Sequence, residues 1–418
     1  MKVVLIGGSS PSTPALIEYL AAHHNLPDIE IILLGRSKIR LELVSNAARI
    51  LAGNAPITIT TATTTDPRWR DTFLGADVIV LQARIGGYEA RLRDETFPLR
   101  YGVCGDQDLG PGGISNAWRS WPEIRQFFVE AGLRSPHARF FVLSSPVGIL
   151  VRLGLLAAPR LRVMGMCELP RTTLHEICDG LKIPDSEVVS LGYIGLHHMG
   201  WLYRLNSATR DLIHEYETIR KDSNTFPSAH LIREYSAIPT RYVRLHFHRS
   251  EVIAEQKQAP GARSLYLAHY REKTFATFAN GCGDAIKAVL RERPAPWYSE
   301  ALGPLILAGP GCAIAQPVFL SGLAGSGVSD FPENEILELA HSASDTIDRL
   351  TVPRPIPEKV VNWIRPFLSA ERIATEAIWR LDPETLRLAL ATHPWTSSLD
   401  NSARAALAND IMVTSAVI

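Results

Sequence analysis

The sequence contains no run of about 18 uninterrupted apolar residues, the minimum for a transmembrane helix. Its charge is balanced, with 43 lysines and arginines against 43 aspartates and glutamates, so it lacks the basic excess that is typical of nucleic-acid-binding proteins. The N-terminal residues run from one lysine and a short apolar segment into a glycine turn, without the pattern of a signal peptide. We therefore expect neither a membrane nor a nucleic acid among the partners.

Cysteine is scarce and shows no paired spacing. The five cysteines are an odd number, Cys104, Cys167, Cys178, Cys282 and Cys312, which argues against a disulfide framework. A reducing, cytoplasmic location is the expected one. With 418 residues, 46% of them hydrophobic, the chain is long enough for about two globular domains.

Strand-like and helix-like segments alternate through the first part of the chain, in the βαβ pattern of a Rossmann domain. The predicted helices Ala15–Ala22 and Lys38–Leu51 separate the first three strands. The predicted strands are Lys2–Ile6, Glu30–Leu34, Ile57–Thr61, Asp77–Leu81, Phe140–Leu143 and Arg162–Met166. The sequence therefore predicts an α/β protein, with a Rossmann domain over residues 1–165, an α/β domain over residues 166–418 and a site in the cleft between them.

A glycine turn follows the first strand and opens the first helix. Its candidate cofactor-binding residues are Gly7, Gly8, Ser9, Ser10 and Thr13. Backbone N–H groups and a helix N-terminus at such a turn can bind a pyrophosphate. The fingerprint is only partial, because the third glycine of G-x-G-x-x-G is missing.

The end of the second strand lacks the acidic residue that usually binds the adenosine ribose of NAD. The chain reads Leu34, Gly35, Arg36 there. Arg36 could face a 2′-phosphate or stack on adenine, or it could be a solvated loop residue. NAD is expected, and NADP stays open.

A polar, glycine-rich segment, Gln82 to Gly113, begins where the strand Asp77–Leu81 should end. Loops at that end of a parallel strand hold the ligands of doubly wound sheets, so we predict a long binding loop in which Ala83 and Arg84 contact the cofactor. A solvated surface insertion is the alternative.

Cys167 follows one predicted strand, and His198 follows the β-rich run Val188–Ile194. A thiolate and an imidazole together could bind a borderline divalent metal. On spacing alone, a buried structural cysteine and a core histidine explain the same residues.

Taken together, these motifs resemble the NAD-dependent family-4 glycoside hydrolases, a group of 6-phospho-β-glucosidases, 6-phospho-α-glucosidases and α-galactosidases. The matching runs extend from IGGSSPSTP through RIGGYEARLRDETFPLRYG and GPGG to CELP, GLHH, IPTRY and RPAPWYSEA. The resemblance implies a second domain similar to that of lactate and malate dehydrogenases. It also implies a homodimer or homotetramer.

The resemblance further implies glycoside hydrolysis without the usual pair of carboxylates. In that route NAD takes hydride from C3 of the sugar, a base removes the acidified C2 proton, and the C1 leaving group is eliminated. Water then adds, and the hydride returns to C3. A divalent metal, expected to be Mn²⁺, would act on the C2 and C3 oxygens as a Lewis acid.

Residue by residue, the resemblance assigns Cys167 and His198 to the metal and Tyr242 to the C2 base. A phenol of ordinary pKa near ~10 needs a nearby cation to act as a base at neutral pH. Glu168 takes the position of the general acid for the leaving group.

Two arginines are the implied ligands of an anionic group at C6 of the sugar. Arg91 matches the arginine that binds the 6-phosphate, and Arg293 is a second anion ligand, since guanidinium groups suit phosphate geometry. Ordinary ion pairing, to Asp94 or Glu95, is the alternative for them. The expected substrate is a 6-phospho-glucoside.

Several positions depart from the family pattern. Ser9 replaces a glycine of the turn, Gly35 an acid, and His197 the asparagine before the metal histidine. Ser145 stands where an asparagine would contact the sugar, and Asp108 replaces a glutamate. These changes suggest a divergent substrate, such as an unphosphorylated or 6-sulfo glycoside. A plain NAD(P)-dependent dehydrogenase and a non-catalytic sensor are the competing hypotheses.

Overall fold

A computed structural model describes residues 1–24, 26–221, 223, 225–308, 314–343 and 346–413. Cys312 lies outside the described residues. Twelve strands in the described part of the chain form one sheet. They are β1 (Lys2–Ile6), β2 (Ile29–Gly35), β3 (Ile57–Thr63), β4 (Val78–Leu81), β5 (Arg139–Val142), β6 (Arg162–Met166), β7 (Ser190–Leu196), β8 (Met199–Asn206), β9 (Ile238–Pro239), β10 (Ile314–Leu323), β11 (Ile336–Ala343) and β12 (Ile347–Arg349).

Helices cover both faces of this sheet. Those in the described residues are α1 (Thr13–Ala21), α2 (Lys38–Ala52), α3 (Gly87–Thr96), α4 (Gly110–Arg134), α5 (Val147–Ala157), α6 (Leu169–Leu181), α7 (Leu212–Ile219), α8 (Ala229–Tyr235), α9 (Arg244–Phe247), α10 (Arg249–Gln258), α11 (Ala262–Asn280), α12 (Gly283–Arg291), α13 (Gly303–Leu307), α14 (Glu358–Arg380), α15 (Pro383–Thr392) and α16 (Asn401–Val413). None of them is long and apolar enough to cross a membrane.

The first six strands confirm the predicted Rossmann architecture. They are parallel and lie in the order β3-β2-β1-β4-β5-β6, which is the dinucleotide-binding order. The order reverses beside β1, so the loops after β1 and β4 open the crevice where such sheets bind ligands.

Alternating side chains of the central strands explain why this half of the sheet is buried on both faces. Val3 and Leu5 of β1 pack with α1 and α2 in one core, whereas Val4 and Ile6 pack with α4 and α5 in another. Continuous apolar strands of this kind are typical of parallel sheets covered by helices on both sides.

The second half of the chain continues the same sheet. β10 pairs antiparallel with β6 and β11, and β11 pairs antiparallel with β7, which forms a hairpin with β8. The C-terminal helices then return to the first half, where Ile378 of α14, Leu386 of α15 and Leu407 of α16 share a core with β1 and α4. The division at residue 165 stays a prediction.

The segment from Gln82 to Gly113 is mostly helical, so the expectation of a long loop was wrong. Gly86 and Gly87 turn the chain with φ of 81° and 63°, after which good helix formers build α3. Gly112, in the first turn of α4, is packed so closely that a Cβ atom would collide with the carbonyl of Asp106. The glycines serve turns and close packing between helices.

Candidate functional site

A cavity of about 970 Å³ opens at the carboxyl ends of the parallel strands, where ligand sites of such sheets lie. The ends of five strands contribute predicted site residues to its wall. These are Gly7, Ser9 and Ser10 after β1, Arg36 after β2, Ala83 and Arg84 after β4, Ser145 after β5 and Glu168 after β6. His197, His198 and Tyr242, from the second half of the chain, complete the wall.

The two histidines form the tight turn of the β7–β8 hairpin, in which Leu196 pairs with Met199. His198 has a φ of 67°, a left-handed conformation that is uncommon for a residue with a side chain and concentrates at functional sites. Cys167 comes directly after β6 and is 1% exposed. The sulfur and one ring nitrogen of each histidine all lie within 4.8 Å of one another.

The protonation states of this cluster follow from its burial and charges. Burial, followed by the neighbouring His197, lowers the pKa of His198 to about 3, so its ring is neutral. Burial would lower the pKa of His197 too, but Glu338 and Asp108 outweigh it and raise that pKa. Burial, Glu338 and Glu168 raise the pKa of the Cys167 thiol well above its usual range.

Asp108 lies on the cavity side of both histidines. Its oxygens are 3.7 Å from His198 Nδ1 and 3.9 Å from His197 Nε2, and Oδ2 accepts a hydrogen bond of 2.6 Å from Ser145. Burial would raise the pKa of Asp108, but the two histidines and the Ser145 hydroxyl outweigh it and lower that pKa. Ser145 is therefore linked to the cluster through a carboxylate.

Glu338 backs His197 from inside the sheet. It lies on β11 opposite Gly195 of β7 and has 0% exposure. Its Oε1 is 3.5 Å from His197 Nδ1, while its Oε2 accepts a hydrogen bond of 2.5 Å from Tyr193. A carboxylate behind a histidine in this way fixes the ring orientation, as it does for metal-ligating histidines.

An independent observation supports a divalent metal at the cluster of Cys167, His197 and His198. Among the described residues, His198 Nδ1 and Asp108 Oδ1 are buried without a hydrogen-bond partner, although buried polar atoms are normally satisfied. Two ligands of one ion are at most about 4.6 Å apart, since each bond is about 2.0–2.3 Å long, so three atoms within 4.8 Å of one another need only a small side-chain shift to bind one ion. One thiol, two imidazoles and a nearby carboxylate are the donor set of a borderline divalent ion.

Tyr242 and Glu168 lie beside this cluster. The Tyr242 ring stacks on the His198 ring, with centroids 4.5 Å apart. Burial, followed by the charges of Asp106 and Asp108, raises the pKa of the Tyr242 phenol well above its usual range. Burial also raises the pKa of the Glu168 carboxyl, which favours the protonated form that a general acid requires.

The glycine turn is built by close backbone approach. Gly7 has a φ of 84°, and a Cβ atom there would lie 2.7 Å from the backbone of Ala83. A Cβ atom on Gly8 would lie 2.7 Å from Leu33, so Gly8 shapes the turn from behind. Thr13 is also fully buried, and its hydroxyl accepts a hydrogen bond of 3.1 Å from Gln82.

This turn fits a dinucleotide pyrophosphate, because only glycine lets the chain after β1 pass so near the end of β4. Ser9 and Ser10 line the cavity at the N-terminal end of α1, whereas Gly8 and Thr13 lie outside its wall. Thr13 thus contacts the cavity wall through Gln82, which lines the cavity. Gln82 Oε1 also accepts a hydrogen bond of 2.8 Å from Tyr298.

The candidate cations of the wall differ in their partners. Arg84 donates to Gln107, and its guanidinium lies 5.4 Å over the Tyr88 ring. Desolvation by the surrounding protein, followed by the charge of Arg91, lowers the pKa of Arg84 to about 10. The guanidinium is still protonated at neutral pH. Arg84 therefore presents a positive charge to the cavity without a carboxylate partner within 4.0 Å in the described residues.

Arg91 and Arg293 both line the cavity, but through different contacts. Arg91 forms an ion pair with Glu95, with Nε 2.6 Å from Oε1. Ion pairing to Glu95 was the predicted alternative to anion binding. Arg293 donates to Ser12 Oγ at 3.3 Å and lies 4.7 Å over the Trp297 ring. Arg293 thus lies beside the glycine turn, and its buried Nε has no hydrogen-bond partner in the part of the chain that the structure describes.

Three residues at or beside the cluster had no predicted role, namely His197, Asp108 and Glu338. Two signals were present. A histidine pair between the β-rich runs of β7 and β8 is what a two-residue hairpin turn would present side by side. A glutamate inside the apolar run Ile336–Ala343 indicates a buried carboxylate, which requires a partner.

Comparison with solved structures shows that this fold is shared with a dehydrogenase. The fold resembles that of a lactate dehydrogenase of Trichomonas vaginalis, with a TM-score of 0.54 at 12% identity over 91% of this chain and 97% of that one. The predicted likeness of the fold to lactate dehydrogenases is therefore confirmed.

The narrower class follows from the sequence. Residues 2–183 match the family described as "Family 4 glycosyl hydrolase". The chain is 25% identical to the "Probable 6-phospho-beta-glucosidase" of Bacillus subtilis, covering 95% of this chain and 93% of that protein. The chain is thus related to the family-4 glycoside hydrolases, as its motifs predict.

Solved structures share the whole fold. The 6-phospho-β-glucosidase of Thermotoga maritima, solved with NAD and glucose 6-phosphate, superposes with a TM-score of 0.87 at 20% identity. The superposition covers 99% of this chain and 98% of the other. A second structure of that enzyme, with manganese as well, gives a TM-score of 0.86 at 19% identity.

Proposed function

We propose that this protein is a 6-phospho-glucosidase that uses a nicotinamide dinucleotide and a divalent metal, and that cleaves the glycosidic bond by elimination and water addition. One observation carries the proposal. A dinucleotide-type glycine turn and the buried cluster of Cys167, His197 and His198 face the same cavity, with Tyr242 stacked on the cluster. A plain hydroxy-acid dehydrogenase needs only the first of these.

Two groups from outside the chain complete the chemistry. The turn Gly7–Ser10 would hold the dinucleotide, which supplies a hydride acceptor and donor for C3 of the sugar. Cys167 and His198, with His197 as a third ligand, would hold the metal, expected to be Mn²⁺, which supplies a Lewis acid for the C2 and C3 oxygens. The thiol must lose its proton on metal binding, so its raised pKa makes binding stronger as pH rises.

The side chains of the wall would move the protons. Tyr242 Oη would remove the proton from C2 and later return one, and its raised pKa means that it does so only when a cation lies close by. Glu168, protonated because of its burial, would deliver a proton to the leaving oxygen at C1. Asp108, through Ser145, would orient sugar hydroxyls.

The charge of the wall supports an anionic sugar. Its arginines outnumber its carboxylates. The arginines are Arg36, Arg40, Arg84, Arg91, Arg241, Arg263, Arg271 and Arg293, and the carboxylates are Glu95, Asp106, Asp108, Glu123, Glu168 and Glu255. A 6-phosphate gains more from such a wall than a 6-hydroxyl does. Arg84, Arg91 and Arg293 are the proposed candidates for its contact.

The chain is also proposed to work in a reducing cytoplasm, an expectation that the four free cysteines of the described residues support. Assembly into a homodimer or homotetramer stays a prediction, and size-exclusion chromatography with light scattering tests it directly.

The proposal is tested by release of p-nitrophenol from α- and β-p-nitrophenyl glucosides that carry a hydroxyl, a phosphate or a sulfate at C6. Each is assayed under reducing conditions with Mn²⁺ and dinucleotide together, and with each omitted. We expect release from a 6-phosphate substrate only when both are present, without accumulation of reduced dinucleotide. Reduced dinucleotide formed in step with substrate consumed would instead indicate a dehydrogenase.

A further inference from the structure

Resting on the cofactor site proposed above, we propose that this protein prefers NADP to NAD, and that Arg36 and Arg40 recognise the 2′-phosphate on the adenosine ribose. The inference concerns the end of the cavity at β2, away from the metal cluster. Two arginines line the cavity there, and the chain from Ile31 to Leu41 has no acidic residue.

The end of β2 lies directly against the glycine turn. The N–H groups of Gly7 and Gly8 donate to Leu34 O at 2.8 Å and 3.0 Å, and Thr64 N donates to Gly35 O at 3.0 Å. A Cβ atom on Gly35 would lie 3.3 Å from Ser9 Oγ. A dinucleotide with its pyrophosphate on this turn therefore has its adenosine ribose at the end of β2.

A free 2′-hydroxyl is normally recognised there by a carboxylate, which accepts its hydrogen bond. From Ile31 to Leu41 the chain has three cations, Arg36, Lys38 and Arg40, and no acidic residue. Arg36 and Arg40 line the cavity, whereas Lys38 does not. Two guanidinium groups suit the planar, multidentate recognition of a phosphate, and they offer no acceptor to a hydroxyl.

The first turn of α2 adds to this charge. Ser37 caps the helix, since its side chain accepts a hydrogen bond of 3.4 Å from Arg40 N, and Ser37 also lines the cavity. The N-terminus of a 15-residue helix carries a partial positive charge. An anion at this point therefore meets two guanidinium groups and a helix N-terminus.

One carboxylate, that of Glu123, lies near Arg36. Glu123 Oε2 is 4.0 Å from Arg36 Nη1, with side chains 37% and 62% exposed. An exposed pair at that distance contributes little, typically about 0–1 kcal/mol, so a phosphate dianion would displace it. Arg40 has no carboxylate within 4.0 Å in the described ranges, and its guanidinium rests 5.5 Å over Phe275.

The test measures binding of NADP⁺ and NAD⁺ to the full-length protein by calorimetry, with 2′,5′-ADP and 5′-AMP as fragments that differ in the 2′-phosphate. We expect NADP⁺ and 2′,5′-ADP to bind at least ~10-fold more tightly than NAD⁺ and 5′-AMP, since a charge-assisted contact contributes about 1.5–3 kcal/mol. Arg36→Ala and Arg40→Ala should each weaken NADP⁺ binding ~10-fold and leave NAD⁺ binding unchanged.

Lys38→Ala is the matched control, because it removes the same charge from the same turn but lies outside the cavity wall. It should change neither affinity by more than about twofold. NAD⁺ binding as tightly as NADP⁺ would overturn this inference alone, and so would a Lys38→Ala effect equal to that of Arg36→Ala. Failure of both dinucleotides to bind would overturn the proposed function with it.

Discussion

The two ends of the cavity are built on different physical principles. At the cluster end, the buried side chains of Cys167, His198 and Asp108 converge from the end of β6, the β7–β8 turn and the segment before α4. His198 and Asp108 carry polar atoms without a hydrogen-bond partner in the described residues. At the turn end, close backbone approach at Gly7 and Gly8 makes the site, and the side chains of Arg36 and Arg40 are exposed. At the cluster end, metal binding and turnover should therefore be lost when a functional group is changed. At the turn end, dinucleotide binding should be weakened when a Cβ atom is added.

The largest effect is expected from Cys167→Ser, which removes the thiolate at the cluster end. Activity should fall roughly 10³-fold or more, because a bound Lewis acid contributes several kcal/mol to the transition state. Loss of Mn²⁺ binding should accompany it in a calorimetric titration. Cys178→Ser, at another buried free cysteine, is the control, and equal losses in both variants would contradict a metal role.

Tyr242→Phe should sharpen the comparison by separating proton transfer from metal binding. The kcat should fall roughly 10²-fold or more, because a positioned base contributes about 10²–10⁴. Mn²⁺ affinity and dinucleotide affinity should stay unchanged. Tyr235→Phe, whose ring stacks on Trp201 outside the cavity wall, should retain full activity. Wild-type kcat in Tyr242→Phe would remove Tyr242 from the mechanism.

Glu338→Gln and His197→Asn test the part of the cluster that is absent from the family motif. Each should weaken Mn²⁺ binding by roughly 10–100-fold, since partners behind a ligand orient it. Glu338→Gln keeps an oxygen that can accept the Tyr193 hydrogen bond. Electron paramagnetic resonance of free Mn²⁺ gives the affinity without an activity assay. Wild-type affinity in both variants would leave Cys167 and His198 as the whole protein ligand set.

Gly7→Ala should have the smallest effect on turnover, and its main effect should be on dinucleotide affinity. The new Cβ atom is strained at φ 84° and would lie 2.7 Å from Ala83, so dinucleotide affinity should fall ~10-fold and stability by about 1–3 kcal/mol. Gly75→Ala, at φ 67° with nothing within 4 Å of the added atom, carries the strain without the collision. Equal dinucleotide affinity in both variants would contradict the need for close approach at Gly7.

The turn end was the more predictable from sequence, because strand, glycine turn and helix lie within a few consecutive residues. The predicted strand Lys2–Ile6 agrees with β1 to the residue, and the parallel half follows from local patterns. The cluster end was only partly predictable. Its two expected metal residues came from motif resemblance, and the structure brings them together with His197.

Glu338 shows what sequence could not provide. It is 170 residues beyond Glu168 in the chain and reaches His197 only because β11 is inserted between β10 and β7. That antiparallel pairing depends on long-range packing, which local periodicity does not encode. The helical form of residues Gly87–Thr96 was missed for the opposite reason, since glycines that start and pack helices were interpreted as a loop.

A labelling experiment tests whether the glycosidic bond breaks by elimination after oxidation of the sugar. The 6-phosphate substrate is hydrolysed to completion in D₂O with Mn²⁺ and dinucleotide, and the released sugar phosphate is examined by NMR. We expect deuterium at C2 and none at C3, because the C2 proton exchanges with solvent while the C3 hydride is returned. Product with hydrogen retained at C2 would contradict it and indicate direct hydrolysis.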